Sequence, residues 1–137
     1  YLRVIDISNP RIQQQVATCE LSSEDHAYAV EIIGHYLYVG KELNMLDVFD
    51  ITNPAQPVLA GYCRNYGDIR SLVSWNNRLY GNSWRTLTGF DLSDPTQPVA
   101  VGQSDYPERV YALEVAGDNL YMLPGKRVEV LQIFAFE

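Results

Sequence analysis

Three features of the sequence predict an all-β chain folded as part of a β-propeller. A unit recurs every 41 to 44 residues. An Asp-x-Ser/Thr-Asn/Asp-Pro marker ends one strand in each unit, and a Leu-Tyr marker opens another. A period of about 40–45 residues is the size of one four-stranded blade, and also of a helical pair in some solenoids. The residues inside the period favour the blade.

The first marker reads Asp6-Ile7-Ser8-Asn9-Pro10, then Asp50-Ile51-Thr52-Asn53-Pro54, then Asp91-Leu92-Ser93-Asp94-Pro95. Each Asp closes an apolar run carrying Val, Ile or Phe, residues that suit a pleated surface. Pro pre-sets the second position of a tight turn, and Asn or Asp before it bonds back to the local backbone. The signal is strand, then turn. The carboxylates Asp6, Asp50 and Asp91 and the prolines Pro10, Pro54 and Pro95 are therefore assigned to turn structure. An active site needs different groups converging on one spot, not one group repeated per unit.

The second marker is Gly34-His35-Tyr36-Leu37-Tyr38, matched by Asn76-Asn77-Arg78-Leu79-Tyr80 and Gly117-Asp118-Asn119-Leu120-Tyr121. A polar two- or three-residue turn entering such a strand is a hairpin signature. Taken in order, the chain opens inside a strand at Tyr1 and enters a second near 16–21. Full sets follow at 27–33, 36–40, 45–51 and 58–63, and at 69–75, 78–82, 86–92 and 99–104. The end supplies 110–116, 119–123 and 127–135. These thirteen strands make three blades and one extra strand. The expected division is one propeller segment over 1–137, with repeats at about 1–44, 45–85 and 86–126 and a final strand at 127–137. A closed propeller needs about four to eight blades. The expectation is thus a piece of a larger ring, completed by further blades of the same chain or by a partner chain.

The runs Val4-Ile5-Asp6-Ile7-Ser8-Asn9-Pro10, Val48-Phe49-Asp50-Ile51-Thr52-Asn53-Pro54 and Gly89-Phe90-Asp91-Leu92-Ser93-Asp94-Pro95, with the Gly-x-x-Leu-Tyr hairpin, resemble the LVIVD-repeat family. The resemblance covers nearly the whole chain. It implies a β-propeller of a bacterial or archaeal surface or secreted protein, mostly without an assigned activity. The last unit departs from the pattern: Val130-Leu131-Gln132-Ile133 has Gln in place of Asp, and no Pro turn follows.

The net charge of −7, with ten basic residues and no basic run, argues against a nucleic-acid partner. It also disfavours adsorption to an anionic membrane. No stretch reads as a transmembrane span. Cys19 and Cys63 sit at one repeat position, each nine residues after its turn Pro, and fall on the outer strands of successive blades. Packed sheets lie ~10 Å apart, whereas a disulfide needs Cα atoms within ~7 Å, so no bond between them is expected.

The two histidines, His26 and His35, have no partner His or Cys at ligand spacing, so neither a metal nor another cofactor is expected. No Gly-x-Ser-x-Gly elbow or phosphate-cradling loop occurs. Glu31 and Glu114 are equivalent positions on strands expected to line the channel, but Val73 interrupts the set.

In a propeller the loops into the innermost strands and those between second and third strands open on one face. The first kind brings Asp25, His26 and Tyr28, then Tyr66, Asp68 and Arg70, then Tyr106, Glu108, Arg109 and Tyr111. The second brings Lys41 and Glu42, Trp84 and Arg85, and Lys126 and Arg127. Tyr, Trp and Arg dominate binding hot spots. The candidate ligand-binding residues are His26, Tyr28, Asp68, Arg70, Trp84, Arg85, Arg109 and Tyr111. Tyr28, Arg70 and Tyr111 each stand six residues before their hairpin marker, so Arg70 is the departure from a Tyr pattern around one channel mouth. The expected function is a non-catalytic binding or scaffolding module at the cell surface, recognising protein or carbohydrate. One alternative is a hydrolase or lyase using His26 with Asp25, Asp68 or Glu108. Another is a coat or filament subunit.

Overall fold

The computed structural model describes residues 1–43, 45–64 and 67–125, and the backbone of 132–135. Thirteen strands and no helix occur among them. Hence no helix is long and apolar enough to cross a membrane.

The strands fall into four antiparallel sheets. β1 (Leu2–Asp6) pairs with β2 (Gln14–Cys19). A four-stranded sheet holds β3 (Ala27–Ile33), β4 (Tyr36–Lys41), β5 (Met45–Asp50) and β6 (Val58–Arg64), in that order. A second holds β7 (Ser71–Trp75), β8 (Arg78–Asn82), β9 (Thr86–Asp91) and β10 (Val99–Asp105). The last sheet is β11 (Val110–Ala116), β12 (Asn119–Pro124) and β13 (Gln132–Ala135). The chain is a partial β-propeller: two complete blades, flanked by a two-stranded and a three-stranded sheet.

Within a blade, burial follows radial position. β4 and β5 are buried on both faces, whereas β10 is exposed throughout. Alternation explains the middle strands. Leu37, Val39 and Phe49 point to the first sheet and meet Leu2 and Cys19. Tyr38, Leu46 and Val48 point the other way and meet Ile69, Leu72, Leu79 and Phe90 of the next blade. A third cluster joins Val73 and Tyr80 to Val110, Leu113, Leu120 and Met122. Each fully buried Phe or Leu is worth ~1.5–3 kcal/mol of transfer free energy.

The innermost strands are tied sideways. Glu31 on β3 accepts bonds from the Ser74 amide (2.9 Å) and hydroxyl (2.6 Å) on β7. The Leu113 amide on β11 donates to Ser71 Oγ at 3.2 Å. Glu31 is thus spent on the seam between blades. Its equivalent Glu114 is exposed and, among the described residues, accepts only from its neighbour Val115, at 3.3 Å. The two carboxylates share no site.

The Pro turns are double Asx turns. Asp6, Asp50 and Asp91 accept the amides of Ser8, Thr52 and Ser93 at 2.8, 2.8 and 2.6 Å. Asn9, Asn53 and Asp94 then accept from Arg11, Ala55 and Thr96 at 3.0, 3.1 and 2.9 Å. Backbone bonds Ile12 to Asn9, Gln56 to Asn53 and Gln97 to Asp94 close β-turns with Pro second. The hairpin markers behave as turns of two residues. Asn76 and Asn77 both have positive φ (48° and 58°), as a type I′ turn requires.

Most strand limits fall within two residues of the sequence expectation, and two of the shifts have a visible cause. β2 ends at Cys19 rather than near 21, because Ser22 turns inward to bond Asp47 on β5. β7 begins at Ser71 rather than 69, because Ile69 is fully buried and its amide donates to Lys41 O of the preceding blade at 3.0 Å. Of the final strand expected at 127–137, β13 (Gln132–Ala135) pairs with β12, and the rest lies outside the described residues.

Candidate ligand-binding face

The loops leading into β3, β7 and β11, and those after β4 and β8, are stitched together by backbone bonds. Glu42 N donates to His26 O, Arg70 N to Asn82 O, and Val110 N to Trp84 O, each at 2.8 Å. Residues from several loops are thereby held on one face.

Arg70 is the hub of that face. Its Cζ lies 4.2 Å from the Tyr28 ring centroid and 3.8 Å from that of Trp84. Arg109 Cζ lies 4.7 Å from the same indole. These are cation–π distances. Tyr111 meets Trp84 edge-on, with centroids 5.8 Å apart and planes at 70°. The result is a run of alternating rings and guanidiniums, Tyr28–Arg70–Trp84–Arg109, contributed by three successive sheets. Tyr28 is 37% exposed and Tyr111 53% exposed, so neither is consumed in filling a blade seam.

Carboxylates flank the run on the Tyr28 side. Asp68 Oδ2 accepts from Arg70 Nη2 at 3.1 Å, and its Oδ1 accepts from the Leu43 amide at 3.2 Å. Tyr28 OH donates to Glu42 Oε1 at 2.6 Å, and His26 Nδ1 lies 2.9 Å from Glu42 Oε2. The hydrogen bonds from Tyr28 and His26 hold the Glu42 carboxyl below its usual range. The same bond to Glu42 raises the Tyr28 phenol. Arg70 also carries a buried Nε with no acceptor, and among the described residues only its Nη2 is engaged.

The structure thus brings together Tyr28, Asp68, Arg70, Trp84, Arg109 and Tyr111, and attaches His26 through Glu42. Arg85 is exposed; its carbonyl accepts from Tyr106 N at 2.7 Å, and no side-chain contact joins it to the run. Asp25 accepts from Ser23 Oγ at 2.5 Å, and His26 is partnered by Glu42 rather than by Asp25, Asp68 or Glu108. Among the described residues no three metal-ligating side chains converge. Tyr66, Lys126 and Arg127 lie outside the described residues.

Lys41 corrects the loop reading. It closes β4 and is fully buried. Its Nζ donates to Asp47 Oδ2 (3.2 Å) and to the hydroxyls of Ser22 (2.9 Å) and Ser23 (2.6 Å). Ser22 in turn donates to Asp47 through its amide (2.9 Å) and hydroxyl (2.5 Å). This cluster anchors the 20–26 loop that carries His26. The sequence signal was Asp47 inside an apolar strand, where a buried charge demands a partner.

The turn carboxylates sit on exposed Asx turns, with their own amides satisfied. Hydrogen bonding to Ser8, Thr52 and Ser93 holds Asp6, Asp50 and Asp91 below the usual carboxyl range.

Residues 1–12 and 25–65 match the family model described as the LVIVD repeat. No curated protein matches the chain. The Asp91–Pro95 copy lies beyond the matched residues, yet it ends a strand and opens a double Asx turn in the same way.

Proposed function

We propose that this chain, whose residues 1–12 and 25–65 match the LVIVD repeat, is a non-catalytic binding module whose ligand face is built from Tyr28, Arg70, Trp84, Arg109 and Tyr111. The observation that carries this reading is the ring–guanidinium run across three sheets. Propeller closure does not require it: the equivalent positions hold Tyr, Arg and Tyr, and only the Arg reaches both flanking rings. Rigid aromatics and Arg, held by carboxylates and open to solvent, are what binding hot spots use. The ligand is a protein segment. Arg70 and Arg109 already lie against the Trp84 ring, and Arg70 against Tyr28, the surfaces on which a sugar would stack. A setting at a bacterial or archaeal cell surface goes with this reading through the family resemblance. The ring is completed by further blades of the same chain or by a partner chain.

The test compares the parent with Arg70→Ala/Trp84→Ala and with a control altered at Pro54 and Pro95, on the opposite end of the blades. A pull-down of surface-exposed proteins should lose its captured partner only with the double variant, at unchanged circular dichroism. Binding retained by the double variant and lost in the control would place the site on the wrong face.

A further inference from the structure

We propose that this face selects carboxylates, and that its protein ligand is an acidic peptide segment read by Arg70 and Arg109 together. The inference rests on the binding-face reading and deepens it.

A guanidinium stacks through its plane and hydrogen-bonds through its edge. Stacking on Tyr28 and Trp84 therefore occupies the faces of Arg70 and leaves its edges to make bonds. Nη2 serves Asp68 and Tyr28. The remaining edge, toward Nη1, is not used by the described residues. Asp68 is itself held by the Leu43 amide, so it orients Arg70 without enclosing it.

Arg109 stacks on the same indole and is exposed. Among the described residues it has no carboxylate partner: Asp68 is engaged with Arg70, and Glu42 with Tyr28 and His26. Glu108 precedes Arg109 in sequence but forms no ion pair with it among the described residues. Two guanidiniums share one ring here: Arg109 is exposed, and Arg70, 21% exposed with its Nε buried, offers a ligand its Nη end. Carboxylates accept bidentate bonds from such edges, and the pre-set geometry lowers the ordering cost of binding. In a chain of net charge −7, this pair can draw an acidic segment only by direct contact, not by a general field.

The two tryptophans, Trp75 and Trp84, make a spectroscopic test possible. In a Trp75→Phe background the emission reports on Trp84 alone. Hexaglutamate amide should change that emission saturably, and added salt should weaken the effect. Hexaglutamine amide should leave it unchanged. Arg109→Gln, at an exposed position, should weaken hexaglutamate binding about tenfold or more, while Arg11→Gln at a distant Pro turn leaves it intact. An equal response to hexaglutamine, no response to hexaglutamate, or equal weakening by Arg11→Gln would overturn carboxylate selection. Those outcomes leave the pull-down result standing, so the two readings fail separately.

Discussion

Lys41 and Asp47 form an ion pair, Nζ to Oδ2 at 3.2 Å, with both side chains wholly withdrawn from solvent. They face each other from adjacent strands of one sheet, and Ser22 and Ser23 supply the remaining hydrogen bonds. Removing one partner strands the other charge in the core. Asp47→Ala should cost ~3–5 kcal/mol, read as a lower urea midpoint at unchanged slope. Lys41→Met combined with Asp47→Leu should cost less than either polar loss alone, because no charge is left unpaired. Both variants should also loosen the 20–26 loop and lower binding at the His26 side of the face.

Asp50→Ala should separate turn structure from binding. Among the described residues its carboxylate accepts only from its own turn, from the hydroxyl and amide of Thr52. A lower melting temperature with unchanged ligand affinity is expected. Lost binding at unchanged melting temperature would reveal a functional carboxylate.

The pH dependence has two limbs. Burial pushes the Tyr38 phenol from 10.0 up to about 12 and the Cys63 thiol from 9.0 up to about 11. The native state holds these protons longer than the unfolded chain. Their contribution is complete below pH 9 and is lost as pH rises through about 11 and 12. Cys63→Val should flatten the first part of that decline in urea titrations. In acid, Asp6, Asp50, Asp91, Asp94 and Glu42 are held below their usual values by hydrogen bonds. Their contribution is present above the unfolded values, 3.8 for Asp and 4.5 for Glu, and disappears as pH falls through the lower native ones.

The flank beside β1 predicts association. Leu72 on β7 is 6% exposed, whereas its equivalent Val30 on β3 is 57% exposed and Ile32 is 56% exposed. Strands of the preceding blade cover Leu72, while β1 and β2 leave Val30 and Ile32 open in a groove with Leu2, Val4 and Ile51. An unpaired strand edge beside apolar residues invites pairing. Light scattering should find species heavier than 15.6 kDa, and Val30→Glu/Ile32→Glu should shift them toward the monomer. A parent that is strictly monomeric would count against completion by partner strands.

The repeat carried the blade architecture openly because turns and alternation are local. Asp-x-Ser/Thr-Asn-Pro can satisfy its amides within a few residues, and a two-residue Asn-Asn or Gly-x turn sets its own register. All four sheets follow from such local choices. The loops of one face were also legible, since their place in the repeat puts them at one end of the blades.

What each loop residue does was decided by contacts between strands of one sheet and between neighbouring blades. Lys41 closes β4 and Trp84 stands two residues after β8, yet one is buried on Asp47 and the other carries two arginines. Arg85 stands next to Trp84 in sequence and outside the run in space. Glu42, read only as a loop acid, proves to be the acceptor that joins His26 to Tyr28. Such pairings span 6 residues for Lys41–Asp47 and 14 for Tyr28–Glu42 within one sheet, and 42 for Tyr28–Arg70 between sheets. The sequence by itself therefore determined the strands, the turns and the face. Only tertiary packing decided which side chains meet, because a hydrogen bond or ring contact is made within a few ångströms, and that distance is set by how strands pair and how blades come together.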